Sequence, residues 1–352
     1  MFLGRMSGQN VSAFLDYRLS HRVQHNANVW TDNSDLFIGE RMIIDWHTHI
    51  YPLSETSKPV WKGRCQMTIE TVLDAQEKAG IDLTVISNPL HYLRKASREE
   101  ALTAIQESNR YLASLQDKYA GRIVALAASI PGGGEGYLKE LERAVTQDGL
   151  KGVFVNSSHQ GAYPDDAEAR DFFKLATELD IPVVIHPPSV GYGEERMQEF
   201  RLASSVGRPF DSCLTLARMI LYGVFEQFPT LKVVATHLGG GISEIVGRLD
   251  YNYALQDEGF YTRPKDSEAM LIKHPPSHYL RQIYLDSVSY HLPALKCGLE
   301  TVGVDHIVFG TDAPPLTPLK QRGLDLVRSL DLSPADMEKV LSGNAKRLLK
   351  LN

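Results

Sequence analysis

The segment Asp45-Trp46-His47-Thr48-His49 is where this 352-residue chain first shows residues able to do chemistry. On an extended strand, residues i and i+2 point to one face, so the two imidazoles aim the same way. Two neutral imidazoles on one face make half of a zinc site. Such a pair is common by itself, and its company decides its meaning. His186 closes the run Val183-Val184-Ile185, His237 closes Val233-Val234-Ala235-Thr236, and Asp312 closes Val308-Phe309-Gly310-Thr311. Imidazoles and carboxylates are the groups that bind divalent metals and move protons near neutral pH. A core histidine bonded to backbone, or a turn aspartate, explains any one of these positions. It gives no reason for all five to sit at the ends of apolar runs.

These five positions need a scaffold that gathers distant strand ends. Short, β-branched apolar runs predict strands over 42–49, 83–88, 123–129, 152–157, 182–187, 232–237, 282–287 and 306–312. Each is apolar on both faces, as in parallel strands covered on both sides. Amphipathic helices are predicted over 68–79 (stopped by Gly80), 98–119, 135–147, 167–179, 212–227, 242–254, 292–302 and 319–330, with a last helix over 334–349 capped by Ser333. Eight strand–helix units in succession predict an α/β fold of the (β/α)8 TIM-barrel type, not two domains. A doubly wound open sheet would want Gly-x-Gly-x-x-Gly after the first strand, which is missing. The runs Gly132-Gly133-Gly134 and Gly239-Gly240-Gly241 lack the Lys-Ser/Thr of a phosphate loop and read as turns. In such a barrel the loops at the C-terminal strand ends shape the active site, and the predicted loops at 50–67, 188–211 and 251–281 are long.

Composition removes several other functions. Hydrophobic residues at 43% and charged residues at 23% describe an ordinary globular chain, not a disordered one. No apolar run reaches the ~18 residues of a membrane span. A net charge of −6 offers no footprint for nucleic-acid phosphates. Cys65, Cys213 and Cys297 are odd in number and form neither a Cys-x-x-Cys pair nor a disulfide framework, so a reducing cytoplasm is expected. Residues 1–41 read differently from the rest. They are rich in Asn, Ser and Gln, and Arg5, Asp16, Arg18 and Arg22 interrupt any secretory apolar segment. They are expected to be an N-terminal extension to a barrel domain over 42–352, either passive or an arm against a neighbour.

The five polar strand ends on eight βα units resemble the amidohydrolase superfamily. More closely, the chain is similar to the amidohydrolase-related family 2 branch typified by aminocarboxymuconate-semialdehyde decarboxylase. The stretch from Gly223-Val224-Phe225-Glu226 through His237-Leu238-Gly239-Gly240-Gly241 carries the resemblance, with Tyr284-Leu285-Asp286, Phe309-Gly310-Thr311-Asp312 and the closing Gly343-Asn344-Ala345-Lys346-Arg347. It extends over about residues 42–351. The resemblance implies that His47, His49, His186 and Asp312 bind one divalent metal, zinc most often and manganese as the alternative. It implies that His237 stays off the metal as acid/base, with Asp312 also catalytic. Relatives that bridge two metals do so with a lysine ending the fourth strand. Here that strand ends Phe154-Val155-Asn156-Ser157, which favours a single metal. Arg248 matches a carboxylate-binding arginine that in the family acts across a dimer interface, so a homodimer or higher homo-oligomer is expected. Arg64 lies near a second such arginine.

Three imidazoles and a carboxylate leave a coordination position for water, whose pKa zinc lowers to about 7. Two reactions could use such a site. One is non-oxidative decarboxylation of an unsaturated or aromatic carboxylate, in which an electron-rich carbon is protonated before CO2 leaves; the bidentate fork of an arginine suits its substrate. The other is hydrolysis of an amide, ester or C–C bond. Two departures from the decarboxylases keep it open: Ala313-Pro314 follows Asp312 where an aromatic and Pro are usual, and Pro188 stands where Trp is usual. His159 and His291, just beyond the strands at 152–157 and 282–287, are expected to reach substrate. Asp286 is expected to orient His237, Asp45 to support the barrel bottom or the ligands, and Trp46 to be core on the opposite strand face. His274 and His278 read as solvated loop, and His91 and His306 as ordinary. A structural metal site or a catalytically dead barrel is the non-enzymatic alternative, but structural zinc sites are closed and usually rich in thiolate.

Overall fold

Among the described residues, nine strand segments form the centre of the computed structural model: β1 (Ile44–His49), β2 (Leu83–Ser87), β3 (Ile123–Ala125), β4 (Ala127–Ala128), β5 (Val153–Asn156), β6 (Pro182–His186), β7 (Lys232–Ala235), β8 (Tyr284–Asp286) and β9 (Ile307–Val308). The structure describes residues 42–58, 68–188, 191–258, 269–313 and 320–351. Arg64, Cys65 and the expected extension over 1–41 lie outside the described residues. All pairings are parallel and follow chain order. β3 and β4 are two halves of one strand parted at Leu126, whose N–H still donates to Ile86 in β2 at 3.0 Å, while Ala127 N donates to Gly152 at 2.8 Å on the other side. The ends meet: Trp46 N donates to Phe309 O at 2.8 Å, His49 N to Ala313 O at 2.7 Å, and Thr48 pairs with Ala313. The result is the eight-stranded closed barrel expected from the sequence.

Alternating strand positions divide the apolar residues between two layers. Ile44, Leu83, Val85, Val124, Phe154, Val184 and Val234 pack together as the barrel interior. Their neighbours Ile86, Val153, Val155, Val183, Ile185 and Val233 pack under the helices. Trp46 is core, as expected, but it belongs to the interior with Ile44. The reason is a slip in the β1–β2 register between Asp45 and Thr48. Such an irregularity re-aims side chains, so Trp46 faces inward while His47 and His49 still converge at the mouth.

Among the described residues, eight helices cover the strands: α1 (Ile69–Ala79), α2 (Arg98–Lys118), α3 (Glu135–Thr146), α4 (Arg170–Glu178), α5 (Arg208–Leu221), α6 (Ile242–Ala254), α7 (Leu292–Val302) and α8 (Lys320–Arg328). Sequence-local chemistry sets several boundaries. Ser97 Oγ accepts from Glu100 N at 3.3 Å while Glu100 Oε2 accepts from Ser97 N at 2.8 Å, which caps α2. The helix predicted over 212–227 begins earlier, at Arg208, and stops at Leu221. Gly223 ends it with φ 72°, and a Cβ there would stand 2.3 Å from Leu271 O, so only glycine permits this backbone approach. Val224–Gln227 is a separate turn. The C-terminal helical stretch starts at Ser333, whose Oγ accepts from Asp336 N at 3.1 Å, and carries a π-helical turn at Lys339–Gly343. No helix among the described residues is long and apolar enough to cross a membrane.

Candidate active site

The five polar strand ends meet at one mouth of the barrel. Ring centroids of His47, His49 and His186 lie 4.7–5.1 Å apart, and His237 stands 5.1 Å from both His47 and His186. Donor atoms of His47, His186, His237 and Asp312 all fall within 4.8 Å of one another. His49 is not one of those four, but its Nε2 lies 3.0 Å from His47 Nε2 and 3.1 Å from Asp312 Oδ1.

Outward hydrogen bonds set how three of these rings present themselves. His47 Nδ1 donates to Asp286 Oδ2 at 2.6 Å. His186 Nδ1 donates to Pro187 O at 2.7 Å. Ser87 Oγ gives its proton to Thr48 O at 3.2 Å and so accepts from His49 Nδ1, also at 3.2 Å. Each ring spends its N–H outward and turns an Nε2 lone pair inward, the arrangement that second-shell partners impose on metal-binding histidines. His186 Nε2 is buried with no hydrogen-bond partner among the described residues. Two such lone pairs 3.0 Å apart repel unless a positive centre lies among them. Three imidazoles and a carboxylate therefore fit one divalent metal. Asn156, paired across the ladder with His186, occupies the position where a bridging lysine would be needed for two.

The electrostatics agree. Burial lowers the pKa of His49 to about 4, against the pull of Asp312, and holds His186 well below 6.5 with its neighbouring imidazoles adding to the effect. Both stay neutral, as ligands must be. Burial also opposes charge on His47, but its bond to Asp286 and the charges of Asp312 and Asp286 raise its pKa. Burial would raise Asp312, yet the bond from His237 and the charge of His47 hold it well below the ordinary carboxylate range.

A buried polar clasp fixes this floor. Asp45 accepts from His47 N at 3.1 Å, Thr48 Oγ1 at 2.9 Å, Thr311 N at 3.0 Å, Thr311 Oγ1 at 2.6 Å and Lys320 Nζ. Asp45 thus ties β1 to the residue before Asp312, at the mouth and not at the barrel bottom. Asp286 orients His47, not His237; its other oxygen accepts from Leu238 N at 3.3 Å and Val288 N at 3.1 Å.

His237 and Asp312 are positioned differently. β7 ends at Ala235, and the chain then turns through left-handed residues: His237 at φ 54°, Leu238 at 52°, then Gly239, Gly240 and Gly241. Asp312 has φ 54° and Tyr290 φ 55°. For non-glycine residues this conformation costs about 1–2 kcal/mol each and concentrates at functional sites. Gly240 shows what holds the turn, since a Cβ there would stand 1.8 Å from Pro209 O. His237 Nε2 lies 3.4 Å from Asp312 Oδ2, and their side chains are 19% and 18% exposed. His237 Nδ1 is buried without a partner among the described residues, so the ring has no outward anchor of the kind the other three have. Both open into a cleft of about 570 Å³ lined also by Arg208, Glu244 and Tyr290.

The other expected contacts fare unequally. His291 is exposed at the start of α7 and is not part of the cleft lining; Tyr290 lines it instead, because the left-handed Tyr290 turns the chain between them. Arg248 is exposed on α6 and does not line the cleft within this chain. His159 is half-buried and faces two neighbouring clefts of about 230 and 360 Å³. His274 and His278 are exposed, as expected. His91, expected to be ordinary, has its Nδ1 3.1 Å from Tyr51 Oη and its ring 6.0 Å from His186. Arg208 and Tyr290 line the cleft without any such expectation. No spacing rule marks them, since they come from the start of a helix and from a loop.

Residues 44–351 match the family model for the amidohydrolases. A 2-amino-3-carboxymuconate-6-semialdehyde decarboxylase of Dictyostelium discoideum is 30% identical over 275 residues, covering 77% of this chain and 74% of its own. The solved 5-carboxyvanillate decarboxylase of Sphingomonas paucimobilis aligns with a TM-score of 0.78 at 20% identity, over 89% of this chain and 100% of its own. The dihydroxybenzoic acid decarboxylase of Polaromonas sp. JS666, solved with bound manganese and 2-nitroresorcinol, aligns with a TM-score of 0.75 at 23% identity, over 89% of this chain and 98% of its own. On this match, and on the motifs gathered at the barrel mouth, the chain belongs to the amidohydrolase family, in the branch typified by aminocarboxymuconate-semialdehyde decarboxylase.

Proposed function

We propose that the protein is a mononuclear metal-dependent decarboxylase that removes CO2, without oxidation, from a small unsaturated or aromatic carboxylate. The observation that carries this reading is the division of labour among the histidines. His47, His49 and His186 have outward Nδ1 partners and converging Nε2 atoms, whereas His237 has no Nδ1 partner among the described residues and pairs with Asp312 on the open cleft. His47, His49, His186 and Asp312 would hold the metal, zinc or manganese by the donor set. When bound, such a metal supplies a Lewis acid that steadies negative charge developing on a substrate oxygen.

The chain's own residues do the rest. Tyr290 supplies an aromatic wall in place of the aromatics absent at Pro188 and Ala313. His237 and Asp312 pass a proton between Nε2 and Oδ2, and from there to the carbon that bears the departing carboxylate. A C–H bond forms, the C–C bond breaks, its electron pair restores the conjugated system, and CO2 leaves. The buried floor keeps water from competing for that proton.

The catalytic unit is residues 42–352, with 1–41 as an extension to it, and the setting is a reducing cytoplasm. The enzyme works as a homodimer or higher homo-oligomer, because Arg248 can meet substrate only if a second copy brings it to the cleft. It lies on α6 with the exposed Ile245 and Tyr251. His159 would meet a substrate that reaches the two clefts it lines, and Arg64 is assigned on sequence grounds.

The test is to load the full-length protein with zinc or manganese and offer it hydroxybenzoates and muconate-type acids beside amides and esters, following CO2 and hydrolysis products separately. CO2 from at least one carboxylate is expected. Amide or ester hydrolysis, with no CO2 from any acid, would overturn the reading.

A further inference from the structure

Asn156 ends β5 beside His186 and is 9% exposed. Its side chain makes no hydrogen bond among the described residues, and its Oδ1 is shut in without a partner. His159, three residues on, is half-buried, and its ring has no hydrogen-bond partner among them either. Burying polar groups unpaired is costly, so each calls for a partner that the chain does not supply. Both residues line the two clefts of about 230 and 360 Å³.

The surroundings are firmly built. His159 and Ala162 exchange backbone hydrogen bonds at 2.9 and 3.0 Å, Gln160 turns the chain at φ 51°, and Gln160 Nε2 donates to Ala96 O at 2.9 Å. Behind this turn the buried Asp211 of α5 accepts from Ser157 Oγ, from Ser158 Oγ and Tyr163 Oη at 2.9 Å, and from Tyr192 N at 3.1 Å. These neighbours have spent their polar atoms; Asn156 and His159 have not. The larger cleft is in the size range of small-molecule sites, and Pro188 and Tyr192 give it apolar surface. His91 lines it too, with Nε2 buried and unpartnered among the described residues. Its described lining shares no residue with the cleft of His237. The charged residues of this lining are exposed (Arg94, Lys95, Glu194) or, like Asp211, already bonded to donors. An amide N–H donates, and an imidazole that burial holds neutral both donates and accepts. An ion here would exchange its hydration for neutral groups, whereas a hydroxyl or carboxamide loses little.

We propose that the larger cleft is a second small-molecule site, in which Asn156 and His159 bind a neutral hydroxyl or carboxamide carried on a small aromatic body. Asn156 donates to its oxygen, and His159 accepts its proton. The chemistry is the same whether this group arrives on a separate molecule or at the far end of a long substrate.

The probes are 4-methylphenol and 4-methylanisole, of which the first alone can donate, titrated calorimetrically against the metal-loaded full-length protein. In the wild type the phenol should bind about 5- to 30-fold more tightly than the anisole, the range of one hydrogen bond. Asn156→Leu should weaken phenol binding by a similar factor while the melting temperature holds or rises, because no orphaned oxygen is left behind. His159→Leu should erase the preference for the phenol, and it carries the test if Asn156→Leu does not fold. His237→Ala, which alters the other cleft, should leave phenol affinity within about twofold of wild type. A wild type without the preference, phenol binding that survives either leucine variant, or binding lost in His237→Ala overturns the assignment. Saturating 4-methylphenol in the CO2 assay names the source: a raised KM for the carboxylate assigns the site to the substrate's far end, and an unchanged KM assigns it to a separate molecule. Binding is read without turnover, so a protein that binds the phenol and releases no CO2 keeps this site and loses the decarboxylase reading alone.

Discussion

At the ends of β1 and β8 the side chains are dry and doubly tied. His47 is held by Asp286 through its ring and by Asp45 through its amide, and Asp45 is itself enclosed by Thr48, Thr311 and Lys320. Across the mouth, His237, Asp312 and Tyr290 sit in left-handed backbone, and His237 and Asp312 are open to the cleft. One side is over-determined and relaxed, and the other is strained and accessible. Rigid neutral imidazoles suit holding an ion, while a strained, exposed pair suits meeting substrate and exchanging protons.

The contrast can be broken on the floor first. Lys320→Met leaves the Asp45 carboxylate buried without its cation and should cost about 3–5 kcal/mol. Denaturant midpoints at constant m-value would read this. A change under about 1 kcal/mol would show that the clasp is not what makes the floor rigid.

Asp286→Asn is gentler. It keeps the shape but removes the charge that raises the His47 pKa, and loss of such a partner costs about 10- to 100-fold in metal affinity. A proton on His47 Nε2 competes with metal, and a raised pKa makes that competition begin at higher pH. Wild-type occupancy should therefore begin to fall on acidification at a pH above 6.5, and the acid edge of Asp286→Asn should move to lower pH although its affinity at pH ~8 is weaker. Metal dissociation constants measured across pH decide it, and an unmoved edge would detach Asp286 from His47.

The wall should answer in the opposite sense. His237→Gly removes a non-glycine residue from φ 54° and should leave stability equal or raise it by up to about 1 kcal/mol while activity is lost. A clear fall in melting temperature would mean that His237 is part of the fold's support and not of a strained reactive edge.

Much of this was legible in the sequence. Residue type at the ends of apolar runs is a local signal, and His47, His49, His186, His237 and Asp312 could be placed together once eight strand–helix units implied a closed barrel. What stayed hidden is long-range or depends on local backbone irregularity. Asp286 and His47 are 239 positions apart, and Lys320 and Asp45 are 275 apart, so no pattern pairs them. Trp46 fell on the wrong face because a register slip breaks the two-residue period. His291 is expected at the cleft, but Tyr290 lines it, one place earlier in the chain and in left-handed backbone. Arg208 falls in the loop predicted over 188–211, yet a π-helical turn at Ala203–Gly207 carries the chain into α5 ahead of the first amphipathic period.

The central claim is that His47, His49 and His186 hold the metal and move no proton, whereas His237 stays off the metal and delivers the proton, with Asp312 between the two groups. It is tested most directly by measuring metal content and CO2 release on one preparation of His237→Ala, against the carboxylate the wild type decarboxylates best. The account predicts that the variant keeps its metal at the wild-type level while CO2 release falls by about 10²–10⁴-fold, the range of a lost general acid. Loss of the metal together with activity, or CO2 release at the wild-type rate, would contradict it.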